Sequence, residues 1–270
     1  MIAILLSLIV LPQAAIERPL PIARRFLRKG HKFIVCAHRG DHTVAPENSL
    51  EAYNRAIKIG ADFGEVDLRM TKDGVIVLMH DATVDRTTDG HGTVSNLTLQ
   101  EIKALKLKRA TEKNESVPTF EELLKAVRGK INLYLDIKAV RAKDVLSLLK
   151  KYRMERSAIA YVYGPANVDE WRRDAPEIPI ISDISHMTDA EQIERDWRAH
   201  PFAISDGRAS GYTQQLVEIW HKLGVVVVPD IQSGDEGPAK WAPMLAMGVD
   251  GLQTDHPEEL IAYLKSRGLR

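Results

Sequence analysis

Residues 36–53 of the chain read CAHRGDHTVAPENSLEAY and join a short apolar run to the beginning of a helical pattern. The run that leads into this stretch, residues 32–36, is of strand type, whereas Asn48, Ser49 and Glu51 are typical of the first turn of a helix. Five ionisable side chains lie between strand and helix: His38, Arg39, Asp41, His42 and Glu47. So much titratable chemistry at one strand-to-helix turn indicates a functional site.

The same alternation of strand and helix continues from Phe33 onward. Nine short runs, mostly β-branched, are predicted as strands at 33–38, 62–68, 75–80, 131–137, 158–163, 178–182, 202–205, 225–229 and 249–253. Helical patterns are predicted near 48–59, 98–105, 119–127, 143–151, 189–197, 213–222, 239–247 and 257–266. Strands that alternate with helices are typical of a mostly parallel sheet.

Eight or nine such units without a linker or a low-complexity stretch favour one α/β domain over residues 33–270, a closed TIM-type (β/α)₈ barrel. A doubly wound sheet is the alternative, but no G-x-G-x-x-G motif follows the first strand. Residues 82–118 are too long for a simple loop. They are predicted to form a small insertion over one mouth of the barrel.

The composition is that of an ordinary globular protein, since 44% of the 270 residues are hydrophobic and 27% are charged. The 37 basic residues equal the 37 acidic ones, so no global field recruits nucleic acid or an anionic membrane. Cys36 is the single cysteine of the sequence, which excludes an internal disulfide and a cysteine-based zinc site. In its strand-like run it is expected to be a small buried hydrophobic residue.

The amino-terminal part divides into an apolar run and a basic segment. Residues 2–11 are too short to span a bilayer but have the length of a signal-peptide core, so residues 1–15 are predicted to be a signal peptide. The basic segment 16–32 resists translocation, which leaves a cytoplasmic location as the alternative to export into the periplasm or the medium. Residues 23–32 could contact a membrane surface peripherally, and no transmembrane span is expected in the mature chain.

Two carboxylates, Glu65 and Asp67, are two positions apart on a predicted strand, so both side chains leave the same face. At a solvated strand end they need no partner, but inside a barrel sheet their repulsion and desolvation would cost roughly several kcal/mol. A hard divalent cation with oxygen ligands removes that cost. Asp136 and Lys138 repeat the spacing on a later strand, as a structural ion pair or as a third metal ligand and a cation for an anionic substrate.

The segment EVDLRMTKDGVIVLMHD, which contains the first two carboxylates, also contains a hairpin signal. An Asp-Gly pair at 73–74 between apolar runs predicts a two-residue turn, in which Lys72 pairs with Val75. In that register His80 lies opposite Asp67, with Cβ atoms ~5 Å apart. A histidine at a strand end is usually structural, but one that faces a carboxylate pair is a catalytic candidate.

These groups converge at the carboxyl-terminal mouth of a barrel, where enzymes of this fold carry out their chemistry. His38 and Arg39 end the first strand and lie beside the carboxylate pair on the next strand. The set suits metal-assisted phosphoryl chemistry, in which Arg39 and Lys138 bind a phosphate and the histidines exchange protons. We assign the acid role to His38 and the base role to His80, although the sequence does not order them, and interpret His42 as a loop residue.

The order and spacing of these motifs resemble the glycerophosphodiester phosphodiesterase family, over about residues 38–140 and again at the carboxyl terminus. The matching motifs are His38-Arg39-Gly40, Pro46-Glu47-Asn48-Ser49-Leu50, Gly60-Ala61-Asp62, Glu65-x-Asp67, Thr71-x-Asp73-Gly74, His80-Asp81, Arg86-Thr87-Thr88 with Gly90 and Gly92, residues 117–124, Asp136-x-Lys138 and residues 248–257. The resemblance implies a TIM barrel of the phospholipase-C-like phosphodiesterase type and one divalent cation, Ca²⁺ or Mg²⁺.

The family pattern also implies a role for each site residue. These roles are metal ligands for Glu65, Asp67 and Asp136, acid and base for His38 and His80, phosphate contacts for Arg39 and Lys138, and a supporting position in the hydrogen-bonded network for Glu47. The implied reaction, in lipid or glycerol metabolism, cleaves a glycerophosphodiester to an alcohol and glycerol 3-phosphate. In the family mechanism the glycerol hydroxyl of the substrate attacks phosphorus, and water opens the resulting cyclic phosphate.

Two departures from the family pattern bear on specificity. Position 136 is Asp where the family often has Glu, which shortens the third metal ligand by one methylene. Residues 225–232 read VVVVPDIQ where the family often has a Trp-Thr pair, which removes an expected pocket wall.

Two alternatives to hydrolysis remain from the sequence. The first is a phospholipase-D-like lyase that acts on lysolipids and releases a cyclic phosphate. The second is a catalytically dead barrel that only binds its ligand. A dead barrel requires the loss of a histidine or a metal carboxylate, and all of these residues are present.

Overall fold

The computed structural model describes residues 25–27, 29–110, 115–183 and 189–270. The predicted signal peptide and most of the basic segment 16–32 therefore lie outside the described residues. The strands of the described part all fall where the sequence predicts strands: β1 Ile34–Ala37, β2 Phe63–Met70, β3 Ile76–Leu78, β4 Asn132–Ala139, β5 Ala158–Tyr161, β6 Ile180–Asp183, β7 Ile204–Asp206, β8 Val226–Val227 and β9 Gly251–Thr254.

The α-helices of the described part alternate with these strands: α1 Leu50–Ile59, α2 Leu99–Ala104, α3 Phe120–Val127, α4 Ala142–Tyr152, α5 Pro165–Asp174, α6 Ala190–Ala199, α7 Gln214–Leu223, α8 Pro238–Met247 and α9 Pro257–Ser266. Short 3₁₀ helices span Val94–Asn96, Glu155–Ser157 and Ala209–Gly211. Only α5 is missing from the sequence prediction. Its buried residues are Val168 and Trp171, so its apolar periodicity is weak.

Eight strands form one parallel sheet in the order β8-β7-β6-β5-β4-β2-β1-β9, and β3 pairs antiparallel with β2 beside this path. The two ends of the order meet through backbone hydrogen bonds. Asp250 N donates to Val227 O at 2.8 Å, and Gln253 N donates to Pro229 O at 2.9 Å. The sheet therefore closes, which confirms the predicted (β/α)₈ barrel and excludes the open, doubly wound alternative.

Alternate side chains of each strand fill the barrel interior, as the two-residue period of a strand requires. In β1, Ile34 and Cys36 face inward, whereas Val35 and Ala37 pack against the helices. The interior cluster consists of Phe26, Ile34, Cys36, Phe63, Tyr134, Ile159, Ile181, Ile204, Val226 and Val228. Cys36 is thus a buried hydrophobic residue, as predicted.

Phe26, from the described part of the basic segment, closes the amino-terminal end of the barrel. Its ring centroid lies 5.1 Å from that of Phe63, and its carbonyl accepts a hydrogen bond from Asn132 Nδ2 at the start of β4. This part of the segment therefore lies at the end of the barrel opposite the carboxyl-terminal mouth. Among the described residues, no helix has both the length and the apolar character needed to cross a bilayer.

The strands β2 and β3 form the predicted antiparallel hairpin, but its predicted register is wrong by one residue. Leu68 pairs with Leu78, and the next backbone contact joins Met79 N to Asp67 O at 3.1 Å. Met79, rather than His80, therefore lies opposite Asp67.

The hairpin loop explains the shift, because it contains three residues instead of two. Thr71 N donates to Val75 O at 2.9 Å, and Gly74 takes a left-handed φ of 81° between them. The loop is fixed by the insertion, since Asp73 Oδ1 accepts a hydrogen bond from Leu99 N at 2.9 Å. The Asp-Gly pair predicts the turn from neighbouring residues alone, so it could not predict this contact with a residue 26 positions away.

The insertion between β3 and α3 has a small core of its own. This core contains Val77 of β3 and, from the insertion, the buried residues Met79, Val84, Val94, Ile102, Leu107 and Val117. Thr98 and Glu101 form a capping box that begins α2, and Thr119 and Glu122 form a second one that begins α3. These caps fix the exit from β3 and the return to the barrel, so the insertion packs beside the mouth.

Candidate active site

The turn that follows β1 is held in a costly backbone conformation. Arg39 and Asn48 take left-handed φ angles of 52° and 55°, which non-glycine residues adopt rarely and at a cost of roughly 1–3 kcal/mol each. Gly40 also has a positive φ, and a Cβ there would lie 2.7 Å from the Cβ of Ala52. Asn48 N donates to Arg39 O at 3.0 Å and closes the turn. Strain of this kind accumulates at functional sites.

The three predicted metal ligands are brought together by the pairing of β2 with β4. Asp67 is the register partner of Asp136, and Glu65 lies two residues earlier on the same face of β2. One carboxylate oxygen from each of the three residues lies within 4.8 Å of the others. Glu65 and Asp67 are buried, and the Asp136 side chain is 19% exposed.

Burial and mutual repulsion make this carboxylate triad unfavourable when it is ionised. Burial, followed by the charges of Asp67 and Asp136, raises the pKa of Glu65 well above its ordinary value. Burial and Asp67 likewise raise the pKa of Asp136, against the opposing effect of Lys138. Asp67 Oδ1 is buried and accepts no hydrogen bond from a described residue. An oxygen-only donor set of this kind fits a hard divalent cation.

Lys138, on the same face of β4 as Asp136, lies at the edge of the triad. Its Nζ lies 2.6 Å from Asp136 Oδ2 and 3.3 Å from Asp67 Oδ1. Burial lowers the pKa of Lys138, but the two carboxylates outweigh burial and raise it overall, so the ammonium stays charged. An ammonium has three N–H donors, and only the contact with Asp136 is a hydrogen bond, so two donors remain for an anionic ligand.

Arg39 reaches the triad from the turn after β1. Its backbone N donates to Glu65 Oε2 at 2.7 Å, and its Nε lies 3.5 Å from Asp67 Oδ2. Its Nη1 donates to Glu47 Oε1 at 3.0 Å. Burial raises the pKa of Glu47, but the hydrogen bond from Arg86 and the charge of Arg39 lower it overall, so Glu47 is a carboxylate. The structure therefore places Glu47 in the network around the site.

Two further residues orient the triad and have no role in the sequence prediction. Asn48 Nδ2 donates to Asp67 Oδ2 at 2.8 Å, while Asn48 Oδ1 accepts hydrogen bonds from Asp67 N and from the Tyr53 hydroxyl. The Tyr53 hydroxyl also lies 2.9 Å from Glu65 O. The sequence does signal Asn48, because it lies in the quoted Pro-Glu-Asn motif. Tyr53 has the pattern of an ordinary buried helix residue.

His38 is held by a carboxylate from the far end of the chain. Its Nδ1 lies 2.7 Å from Asp255 Oδ1, in the loop after β9. Burial raises the pKa of Asp255, but the hydrogen bond to His38 together with the charges of His38, His42 and Arg39 lowers it overall, so Asp255 is ionised. Because an ionised carboxylate only accepts, Nδ1 carries the proton and Nε2 is left to exchange one. Burial lowers the pKa of His38 despite Asp255, so the ring is neutral at neutral pH.

His42 lies closer to this centre than its interpretation as a loop residue suggests. Its Nδ1 donates to the backbone O of His38 at 2.8 Å, and its Nε2 lies 3.5 Å from Asp255 Oδ1. The two rings meet edge to face, with centroids 5.9 Å apart. Asp255 is in turn fixed through its backbone N, which donates to Glu236 Oε2 at 3.1 Å.

His80 is tied to β2 and to the insertion, although the predicted register is wrong. Its backbone O accepts two hydrogen bonds from Arg69 of β2, at 3.0 and 2.7 Å. Its Nδ1 lies 2.7 Å from Asp81 Oδ1, so this ring is also held by a carboxylate.

The parallel barrel with an acidic carboxyl-terminal mouth places the chain among TIM-barrel proteins. A glycerophosphodiester phosphodiesterase from Agrobacterium tumefaciens superposes on it with a TM-score of 0.75 at 25% identity, covering 85% of this chain and 99% of the other. A family model for the glycerophosphoryl diester phosphodiesterase family matches residues 38–259. The chain belongs to that family.

Individual relatives agree with this assignment. A glycerophosphodiester phosphodiesterase of Caldanaerobacter subterraneus subsp. tengcongensis is 33% identical, over 88% of this chain and 100% of its own length. Glycerophosphodiester phosphodiesterase 1 of Bos taurus is 38% identical, over 77% of this chain and 67% of its own length.

The raised pKa of Glu65 predicts how the triad affects stability when no cation is bound. A carboxyl whose folded-state pKa is raised binds its proton more tightly in the folded state, so its penalty is absent below the ordinary value of 4.5 and grows as the pH rises above it. Glu65→Gln removes the charge and keeps an acceptor for Arg39 N. We expect the variant to unfold in chelator at higher urea than the parent at pH 8, with a gain on the order of 1 kcal/mol or more.

The matched measurement is the same comparison at pH 4.5, where the gain should shrink. Asp144→Asn, at an exposed helix start outside the triad, is the control and should show no such pH dependence. A parent that is more stable than Glu65→Gln at pH 8 in chelator would mean that the triad carries no electrostatic penalty.

Proposed function

We propose that this chain hydrolyses glycerophosphodiesters to an alcohol and glycerol 3-phosphate, with one divalent cation, Ca²⁺ or Mg²⁺, held by Glu65, Asp67 and Asp136. Family membership and the 33% identical relative support the activity. The observation that carries the metal dependence is the buried triad, whose oxygens lie within 4.8 Å of one another. We place the reaction in lipid or glycerol metabolism, with the glycerophosphodiester as a small-molecule partner.

The formal charges of the site support the proposal. Three ionised carboxylates against the cations of Arg39 and Lys138 leave a net charge of about −1, which would repel a phosphodiester. A divalent cation reverses that sign, and a singly charged phosphodiester then brings the sum to about zero. When bound, the cation would supply charge for the phosphate oxygens and acidify a bound hydroxyl.

Arg39 and Lys138 are proposed to bind the phosphate. Arg39 Nε is buried without a hydrogen-bond partner among the described residues, and a guanidinium presents its donors in the fork that phosphate oxygens match. Lys138 adds a positive charge from β4, with its Nζ 3.3 Å from Asp67 Oδ1. One cation from the turn after β1 and one from β4 would orient the phosphate between them and position phosphorus for attack.

His38 and His80 are proposed to carry the two protons of the reaction. Each ring has Nδ1 tied to a carboxylate, so Nε2 is the atom that faces proton exchange. The lowered pKa of His38 favours its neutral ring as the proton acceptor from the attacking hydroxyl. His80 would act in its doubly protonated form and donate its Nε2 proton to the leaving alkoxide, so one ring gains the proton that the other loses. This order is the reverse of the assignment made from the sequence.

The metal proposal predicts that chelation abolishes the release of alcohol from glycerophosphocholine, glycerophosphoethanolamine and glycerophosphoglycerol, and that Ca²⁺ or Mg²⁺ restores it. Phosphorus NMR of the products separates the hydrolase from the lyase alternative, because a lyase accumulates the cyclic phosphate. The cation should also raise the melting temperature of the parent, and raise it less in Asp67→Asn. Full turnover in excess chelator would remove the metal from the proposal.

The acid/base proposal predicts that His38→Ala and His80→Ala each lose about 10²–10⁴-fold in kcat while they fold and bind the cation. The double variant should be little worse than either single one, because residues that act as a unit are not additive. His42→Ala is the matched comparison, because the His42 ring packs on His38 but has no proposed role in proton transfer. The kcat of this variant should stay nearly unchanged. A normal kcat in His38→Ala or in His80→Ala would contradict the acid and base roles proposed for these histidines.

We also propose that residues 1–15 direct export and are removed, which leaves the segment from residue 16 onward in the mature protein. The apolar run 2–11 is the observation that supports this. Intact-mass measurement of protein from the periplasm or the medium should give a chain that begins near Ala15 or Ile16. Full-length protein recovered from the cytosol would favour the cytoplasmic alternative.

A further inference from the structure

The Arg-Thr-Thr motif at 86–88 has no part in the chemistry described so far, yet its first residue reaches the active site. Arg86 lies in the insertion, five positions after Asp81, and donates two hydrogen bonds to each of two carboxylates. Nη1 and Nη2 donate to Glu47 Oε2 and Oε1 at 2.6 and 2.7 Å. Nε and Nη2 donate to Asp81 Oδ2 and Oδ1 at 2.6 and 3.1 Å.

The two carboxylates lead to different parts of the catalytic centre. Asp81 Oδ1, which accepts from Arg86, also lies 2.7 Å from His80 Nδ1. Glu47 Oε1, which accepts from Arg86, also accepts from Arg39 Nη1 at 3.0 Å. One guanidinium is therefore a single hydrogen-bonded carboxylate away from the histidine that exchanges a proton and from the arginine that binds phosphate.

The two threonines of the motif contact the insertion rather than the active site. Thr88 is buried, and its hydroxyl donates to Val84 O at 2.8 Å inside the insertion. Thr87 Oγ1 lies 3.2 Å from the sulfur of Met79, which belongs to the same small core. The threonines thus hold the loop, and the arginine side chain points the other way, toward the mouth.

The exposure of this contact indicates what it does for the protein. The Arg86 side chain is 47% exposed, so its ion pairs contribute little to the free energy of unfolding. Its geometry is specific, because a planar fork fixes the rotation of both carboxylates at once. Without it, Glu47 keeps only its hydrogen bond from Arg39 Nη1 and Asp81 keeps only its contact with His80 Nδ1, so neither carboxylate has a second contact that fixes its rotation. The contact therefore orders the site rather than stabilising the fold.

We infer that Arg86 is a positioning residue through which the insertion holds His80 and Arg39 in one arrangement. The inference rests on the proposed function for its kinetic consequence. It assigns to the insertion a share in catalysis, because a residue outside the eight barrel strands sets both the ring that exchanges the proton and the guanidinium that binds the phosphate. Displacing either group by ~1 Å is enough to cost roughly 10²-fold in rate.

Arg86→Ala tests the inference against two variants that each break one arm. Asp81→Asn should lower kcat with little change in KM, and Glu47→Gln should raise KM. Arg86→Ala should do both and lose about 10²-fold in kcat/KM on a glycerophosphodiester. Added guanidinium ion should restore part of the loss. Arg141→Ala is the control, because it removes a comparable pair of hydrogen bonds from a guanidinium to Asp144 at an exposed helix start. Its kcat and KM should equal those of the parent, with and without added guanidinium ion.

A second measurement does not require turnover. Long-range ¹H–¹⁵N spectra, with the His80 signals assigned from His80→Ala, report which ring nitrogen carries the proton when the imidazole is neutral. In the parent, Nδ1 should carry it, because Asp81 accepts from that atom; in Arg86→Ala the ring should show a mixture of both forms. Arg86→Lys keeps the charge but not the fork and should also show the mixture. It serves as the second variant if Arg86→Ala folds poorly.

The two measurements separate the inference from the function on which it rests. A parent without phosphodiesterase activity defeats the proposed function, and the ring spectra still decide the role of Arg86. A parent that is active, together with Arg86→Ala and Arg86→Lys that keep its kcat, KM and single ring form, overturns the inference. A loss in Arg86→Ala without any response to guanidinium and with an unchanged ring form also overturns it, because such a loss is only structural.

Discussion

The repulsion among Glu65, Asp67 and Asp136 is the constraint around which the mouth of the barrel is built. Pairing of β2 with β4 puts Asp67 beside Asp136, and burial removes the water that would screen them. The surrounding groups act on that charge: Lys138 from β4, Arg39 from the turn after β1, and the amide of Asn48. What remains is a deficit of positive charge, which a hard divalent cation matches in sign and in ligand preference.

Meeting that constraint costs backbone energy at the turn after β1. Left-handed residues at Arg39 and Asn48 bring the Arg39 backbone N to Glu65 and the Asn48 amide to Asp67. Gly40 allows the turn to lie against Ala52 of α1, where no larger residue fits. The hydrogen-bond donors that the turn supplies are aimed at the carboxylates and therefore offset the strain where the charge is greatest.

The two histidines are built alike from different parts of the fold. His38 depends on Asp255 and therefore on the pairing of β1 with β9, whereas His80 depends on Asp81 and on the neighbouring insertion. In each case a carboxylate lies at Nδ1, which leaves Nε2 of both rings turned away from that partner. The two rings differ in exposure. Burial lowers the pKa of His38, whereas the His80 side chain is 35% exposed. A common geometry is thus given two environments, which suits the proposed roles of the two rings as proton acceptor and proton donor.

The barrel, the strands that carry the candidate site and most of the residues that meet there could be predicted from the sequence, because two-residue alternation, turn residues and the Glu-x-Asp and Asp-x-Lys spacings are local properties of the chain. Which of these residues contact one another depends on how the elements pack in three dimensions. His38 finds Asp255 across 217 positions through the pairing of β1 with β9, and Arg86 finds Glu47 across 39 through the folding of the insertion. The hairpin register followed the contact of Asp73 with Leu99 rather than the local turn signal. Partners of this kind depend on how elements pack, and no periodicity within one element encodes that.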